Sequence, residues 1–126
     1  MLLRGAPKRV LILVDDAVLA ELLAEALLEV GHLAEVARVA EVVNGSLACT
    51  SFDVVIVDLD TWSRREVQAV EKLRRDTPTT TVIALLPCGG IASDFTAVAF
   101  DVAIEKPARL KTLLLAVDAA LVRTAP

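Results

Sequence analysis

The sequence predicts an α/β domain, an open and doubly wound five-stranded parallel sheet with helices on both faces. Three observations predict it. Strand-like and helix-like apolar patterns alternate from end to end, the signature of repeated βα units. The runs Val10 to Val14 and Val54 to Val57 are apolar without alternation, as strands buried on both faces must be. Charged residues close these runs: Asp15-Asp16 after the first, Asp58 after the second, and Lys106-Pro107 after Asp101 to Glu105.

Taken in order, the first strand runs from Val10 to Val14. The next segment, Asp16 to Val30, places Leu19, Leu22, Leu23, Ala26, Leu27 and Val30 on one helical stripe, and Gly31 stops it. Leu33 to Ala37 reads as a short strand. Val39 to Cys49 reads as a weaker helix, interrupted by Asn44-Gly45. Phe52 to Asp58 is the third strand, followed by a loop through Asp60, Thr61 and Trp62. A helix from Arg64 to Asp76 then offers Val67, Val70 and Leu73 to the core. Pro78 introduces a fourth strand over Thr79 to Leu86, and Pro87-Cys88-Gly89-Gly90 ends it in a loop. A short helix near Ser93 to Ala99, a fifth strand and a helix from Pro107 to Arg123 complete the pattern, with Pro107 at position N1, where its missing N–H costs nothing.

The last helix carries more apolar surface than one contact needs. Leu110, Leu113, Leu114, Val117 and Leu121 form its core stripe, while Leu115, Ala119 and Val122 line a second stripe that suits a partner or a homodimer.

Composition narrows the function classes. With 126 residues the chain forms one domain, and 56% hydrophobic residues with only three Phe, one Trp and no Tyr require a core of Leu, Val, Ile and Ala. The net charge of −4 and the absence of a basic stripe argue against direct nucleic-acid binding; Arg64-Arg65 and Arg74-Arg75 read as a solvated helix face. Cys49 and Cys88 form no C-x-x-C pair, so neither a zinc site nor a disulfide framework is signalled, and a reducing compartment is expected. No apolar stretch is long enough to span a bilayer, and the first one ends in two aspartates that a signal peptide would not tolerate. The expectation is a soluble cytoplasmic protein without membrane contact.

The acids at the strand ends have two physical readings. In an open parallel sheet, ligands bind in the crevice outside the carboxyl ends of the strands, which makes Asp15, Asp16, Asp58 and Lys106 candidates for one site. Acids that follow strands are also common helix N-caps. As a set, they favour a site.

The stretches Val10-Leu11-Ile12-Leu13-Val14-Asp15-Asp16, Phe52-Asp53-Val54-Val55-Ile56-Val57-Asp58-Leu59 and Lys106-Pro107, in this order and spacing, resemble the receiver domain of two-component response regulators over residues 8 to about 122. The resemblance implies a (βα)5 sheet of order 2-1-3-4-5. It also implies that Asp58 is the phosphoryl acceptor, that Asp16, Asp58 and the backbone carbonyl of Asp60 bind Mg²⁺, and that Asp15 supports the metal partly through water. Lys106 then supplies the cation for the phosphoryl oxygens. A hard divalent ion with oxygen ligands is the natural way to keep such carboxylates ionised together, because packed side by side they repel one another. The implied partner is a sensor histidine kinase or phosphotransfer protein, and the implied activity is self-modification from a phosphohistidine, not turnover of an external substrate.

The sequence departs from that family in specific places. Leu86 stands where the family carries a switch Ser or Thr, so a hydrogen-bond donor to a phosphoryl oxygen is lost, at a cost of roughly a hundredfold or more by analogy with one oxyanion-hole donor. Ala103 replaces the switch aromatic of the fifth strand. Trp62-Ser63 replaces a Pro-Gly pair; Trp62 reads as a lid, a partner anchor or a packed loop residue. The segment from Leu86 to Lys106 is about two residues shorter than in the family, which implies a truncated fourth helix.

Two functions follow. One is an atypical receiver phosphorylated on Asp58; the other is a pseudo-receiver, an interaction or dimerisation module independent of phosphate. Glu21, Glu25 and Glu29 form an acidic row on the first helix that is either a solvated face or a match for a basic partner. A flavodoxin-like enzyme is disfavoured, since no Gly-rich phosphate loop follows the first strand and His32, the only histidine, falls in a turn. The sequence is compatible with a stand-alone receiver or with part of a longer protein.

Overall fold

The computed structural model describes residues 8–14, 16–43, 52–58, 64–76, 78–86, 100–106 and 109–124, and the backbone alone at 39, 43, 64–67 and 122–124. The elements are β1 (Arg9–Leu13), α1 (Ala17–Glu29), β2 (Leu33–Val36), α2 (Val39–Val43), β3 (Val54–Asp58), α3 (Arg64–Asp76), β4 (Thr81–Leu86), β5 (Val102–Glu105) and α4 (Leu110–Thr124). All strand pairs are parallel, in the order β2-β1-β3-β4-β5. The doubly wound sheet of order 2-1-3-4-5 is therefore present. No helix among the described residues is long and apolar enough to cross a membrane.

Strand periodicity divides the core into two layers. Because alternate side chains leave a strand on opposite faces, Val10, Ile12, Val54, Ile56, Ile83 and Leu85 pack with Leu23, Leu27, Leu113 and Val117 beneath α1 and α4. Leu11, Leu13, Val55, Val57, Val82 and Ala84 pack with Val42, Ala69, Val70 and Leu73 beneath α2 and α3. The central strands are buried on both faces, which is why their sequences run apolar without a polar break. Burial of each of Leu11, Ile12, Ile56, Ile83 and Leu85 stabilises the fold by about 1.5–3 kcal/mol.

Four expectations are corrected. The buried stripe of α1 is Ala20, Leu23 and Leu27, while Leu22 and Val30 are 45% and 47% exposed. Apolar residues flank the acidic row Glu21, Glu25 and Glu29 on both sides, so they spread wider than the buried stripe. The last helix begins at Leu110; Arg109, just before it, is not helical, and its carbonyl accepts the first turn's bond from the Leu113 amide at 3.1 Å. The third and fourth strands begin two residues late, at Val54 and Thr81. Side chains bond the backbone just before both starts: Asp53 Oδ2 accepts from the Arg9 amide at 2.8 Å, and Thr80 Oγ1 donates to the Phe52 carbonyl at 2.6 Å.

The fourth correction is Arg74, expected on a solvated face. Its guanidinium donates to the Thr80 carbonyl at 3.0 Å and pairs with Asp101 at 2.6 Å. The same Asp101 oxygen accepts the Val82 amide at 2.8 Å. With Arg9 lying 4.8 Å over the Phe52 ring, these contacts belt the N-terminal ends of β1, β3, β4 and β5. The expectation that Gly31 stops α1 holds, because its φ of 92° lies in the left-handed region that glycine enters without steric cost.

Candidate functional site

The opposite rim of the sheet carries the acid and the lysine expected at the strand ends. Asp58 is the last residue of β3 and only 8% exposed, at the mouth of a strand whose other four residues are wholly buried. Lys106 directly follows β5, and β4 lies between the two strands. Parity explains how they meet. Asp58 continues the sequence of Val54 and Ile56, and Lys106 that of Val102 and Ile104, so both belong to the face beneath α1 and α4.

The backbone amide of Lys106 donates to the Leu86 carbonyl at 2.8 Å, anchoring the lysine against the end of β4. From there its ammonium reaches past that strand to Asp58, with Nζ 2.5 Å from Oδ1. The Lys106 side chain is 24% exposed, so the pair sits at a rim that water reaches from one side. A charge-assisted bond of this kind is short and about twice as strong as a neutral one.

Asp16 stands three residues past β1, the immediate neighbour of β3. The last pair in register is Leu13 with Val57, so Val14 lies level with Asp58 and Asp16 two residues further along the chain. Asp16 caps α1: Oδ1 accepts from the amides of Val18 at 3.0 Å and Leu19 at 3.2 Å. Both bonds use one oxygen, and Oδ2 makes no bond to another described residue. The two readings of strand-end acids thus meet in one side chain, since the cap engages half of its carboxylate.

Asp15, Asp60, Trp62, Cys49, Cys88 and the short helix near Ser93 to Ala99 lie outside the described residues, as do Pro107 and the side chains of Val67 and Val122. Among the described residues no three His, Cys, Asp or Glu side chains gather closely enough to hold a metal ion.

The two departures sit on the other face of the sheet from the acid and lysine. Leu86 is half-buried and packs with the cluster beneath α2 and α3. Ala103 pairs in register with Ala84, a member of that cluster, and is exposed. Phe100, two residues before β5, fills part of this face, a contact no sequence period signalled. The acidic row Glu21, Glu25 and Glu29 is exposed on α1. His32 accepts the Lys8 amide on Nδ1 at 3.3 Å, a role in the turn after α1.

The sequence matches no family model and no curated protein. Solved structures do match. A chain described as adenylate cyclase from Rhodopirellula baltica superposes with a TM-score of 0.77 at 18% identity, covering 94% of this chain and 90% of that one. A CheY-like response regulator receiver domain from Methylobacillus flagellatus gives 0.70 at 21% identity, covering 91% and 99%. The signal receiver domain of a signal transduction histidine kinase from Syntrophus aciditrophicus gives 0.73 at 24% identity, covering 92% and 91%. With its strand order, its acid at the end of β3 and a lysine just after β5, the chain has the fold of the response regulator receiver domain.

Proposed function

We propose that this protein is a signalling receiver of a two-component phosphorelay, phosphorylated on Asp58 and passing its signal by protein–protein contact. The observation that carries this reading is the Lys106 ammonium 2.5 Å from Asp58 Oδ1, two charges from separate strands brought to one rim. A carboxylate held this way has the equipment for phosphoryl transfer, which depends mostly on position and on cations that meet the charge of the equatorial oxygens.

In the transfer, a carboxylate oxygen of Asp58 forms a bond to phosphorus as the donor's P–N bond breaks, and that electron pair returns to the donor imidazole nitrogen. Lys106 stabilises the charge on the transferred group as a compact, mobile cation. The receiver modifies itself and, on this reading, turns over no external substrate. Its donor is a sensor histidine kinase or a phosphotransfer protein in the cytoplasm.

Mg²⁺ fits the donor set, because the described ligands are hard carboxylate oxygens: Asp58, and Asp16 with the oxygen its cap does not use. Asp15 and the Asp60 carbonyl complete the set that would hold it. When bound, the ion would supply positive charge that lets these acids ionise together and meets the phosphoryl oxygens.

A second reading is favoured by Leu86, an aliphatic side chain with no donor to offer at the end of β4, and by Ala103, which carries no ring. These make the protein a pseudo-receiver that acts as an interaction or dimerisation module, without phosphate. Incubation with acetyl phosphate and Mg²⁺, read by intact mass, separates the two. Gain of one phosphoryl group, abolished by Asp58→Asn, supports phosphorylation; no gain with the circular dichroism of the folded protein intact sinks it.

A further inference from the structure

We infer that Asp101, held by Arg74, is a positioning residue for Lys106: it fixes the offset of β5 on β4, and through it the place of the lysine's ammonium beside Asp58. β5 is an edge strand and pairs with β4 alone. Val102 and Ile104 are half-buried, Ala103 and Glu105 exposed, and no residue of the strand is fully buried. β3, by contrast, has a neighbour on each side and is buried along its whole length. The packing that locks the central strand is thus thin at the edge.

The site depends on that offset. A slip of one residue would carry Lys106 about 3.3 Å and turn it to the other face of the sheet; a slip of two would keep Val102 and Ile104 on their face but carry Lys106 about 7 Å. Either breaks the 2.5 Å contact with Asp58.

Asp101 removes this freedom. It stands directly before β5 and engages one residue of β4 twice: its amide donates to the Val82 carbonyl at 3.0 Å, and its Oδ2 accepts the Val82 amide at 2.8 Å. Two bonds closing on Val82 fix its level on that strand. Arg74 orients the carboxylate, pairing with Oδ2 at 2.6 Å while its other terminal nitrogen donates to the Thr80 carbonyl at 3.0 Å, just before β4. At the far end the Lys106 amide meets the Leu86 carbonyl at 2.8 Å, a bond that exists only at this offset. Asp101 and Lys106 stand about 17 Å apart along the strand, so the acid acts on the site through β5 and not by contact.

For phosphoryl transfer this rests on Asp58 being the acceptor, so the test on the whole chain has one arm without phosphate. There, native-state hydrogen exchange read by NMR should show the Lys106 amide exchanging about tenfold faster or more in Asp101→Ala, because the edge strand opens locally once its register lock is gone. In the second arm, Asp101→Ala should slow labelling by acetyl phosphate and Mg²⁺ about tenfold or more, up to the roughly hundredfold of losing Lys106 itself, since a misplacement of about 1 Å can cost that much. The same substitution made on Lys106→Ala should change the rate by less than about twofold, because no lysine is left to position. Asp101→Asn, which keeps an acceptor for the Val82 amide, should restore most of the rate. Asp53→Ala strips a like acceptor from the Arg9 amide at the start of β1 and should leave both readouts unchanged, because burial already locks β1 and β3. If Asp101→Ala does not fold, Arg74→Gln, which leaves the bonds to Val82 in place, decides with an expected loss of about threefold in each arm. A Lys106 amide that exchanges at the unaltered rate overturns the inference. So does a labelling loss as large on Lys106→Ala as on the wild type, or one that Asp53→Ala reproduces. A wild-type chain that takes no phosphoryl group overturns the phosphorelay reading instead, and the exchange arm then decides the role of Asp101.

Discussion

Replacing Lys106 by alanine tests the site most directly. The change leaves the Asp58 carboxylate, 8% exposed, without the cation now 2.5 Å from Oδ1. Breaking a fully buried ion pair by removing one partner costs about 3–5 kcal/mol. Here the lysine side chain is 24% exposed and water reaches the rim, which lowers the expected cost to about 2 kcal/mol. Removing the acid instead leaves the more exposed partner alone and costs less. The double variant, with Asp58→Asn, loses both charges together, so its destabilisation should fall short of the sum by about 1 kcal/mol or more. Urea unfolding of the four proteins, followed by far-ultraviolet circular dichroism, measures this coupling. In parallel, Lys106→Ala should slow phosphorylation by acetyl phosphate about a hundredfold, as for the loss of one charge-stabilising group in a preorganised site. Stabilities additive to within about 0.4 kcal/mol would mean that the pair does not interact in solution. An unchanged phosphorylation rate would remove Lys106 from the chemistry.

Asp16 separates its two roles by substitution. Asp16→Ala should cost about 1 kcal/mol of stability through the lost cap, whereas Asp16→Ser should keep most of that stability; if Asp16 binds Mg²⁺, titration should show weakened affinity in both. At the other end of the sheet, Asp101→Ala should destabilise the fold by about 2 kcal/mol, because it strips partners from both Arg74 and the Val82 amide. Asp101→Asn should recover part of this, and hydrogen exchange at the Val82 amide should speed up in the alanine variant only. Leu86→Thr returns a hydroxyl to the end of β4. Under the phosphorylation reading it should raise acetyl phosphate labelling about tenfold or more, while costing about 1 kcal/mol of packing beneath α3; labelling at the unaltered rate would show that this position takes no part.

The chain's local chemistry made much of this legible. Val54 to Val57 announces a strand buried on both faces because it lacks any polar break, and the acid that ends it must then lie at the sheet rim. Gly31 marks the end of α1 because only its positive φ needs no side-chain accommodation. α3 and its buried Val70 and Leu73 follow the helical period directly. Where the local signal is ambiguous, contacts distant in sequence decide. α1 is apolar at Val18, Leu22 and Leu28 as well as at its core positions, so its apolar residues alone leave the phase open, and it is the exposed acidic row Glu21, Glu25 and Glu29 that stands opposite the buried Ala20, Leu23 and Leu27. Arg74 has no local mark that distinguishes it from the neighbouring Arg75, since Asp101, its partner, is 27 residues away.

The class of the sheet, the order of its elements and the identity of the acid and the lysine at strand ends are legible along the chain, because period and composition are properties of neighbouring residues. That Lys106 reaches Asp58 across β4, that Asp16 spends one oxygen on a cap, and that Arg74 and Asp101 tie the far end of the sheet become visible only in the folded chain. Those contacts join residues distant in sequence, and they exist only once strand register has brought the ends of β1, β3, β4 and β5 together.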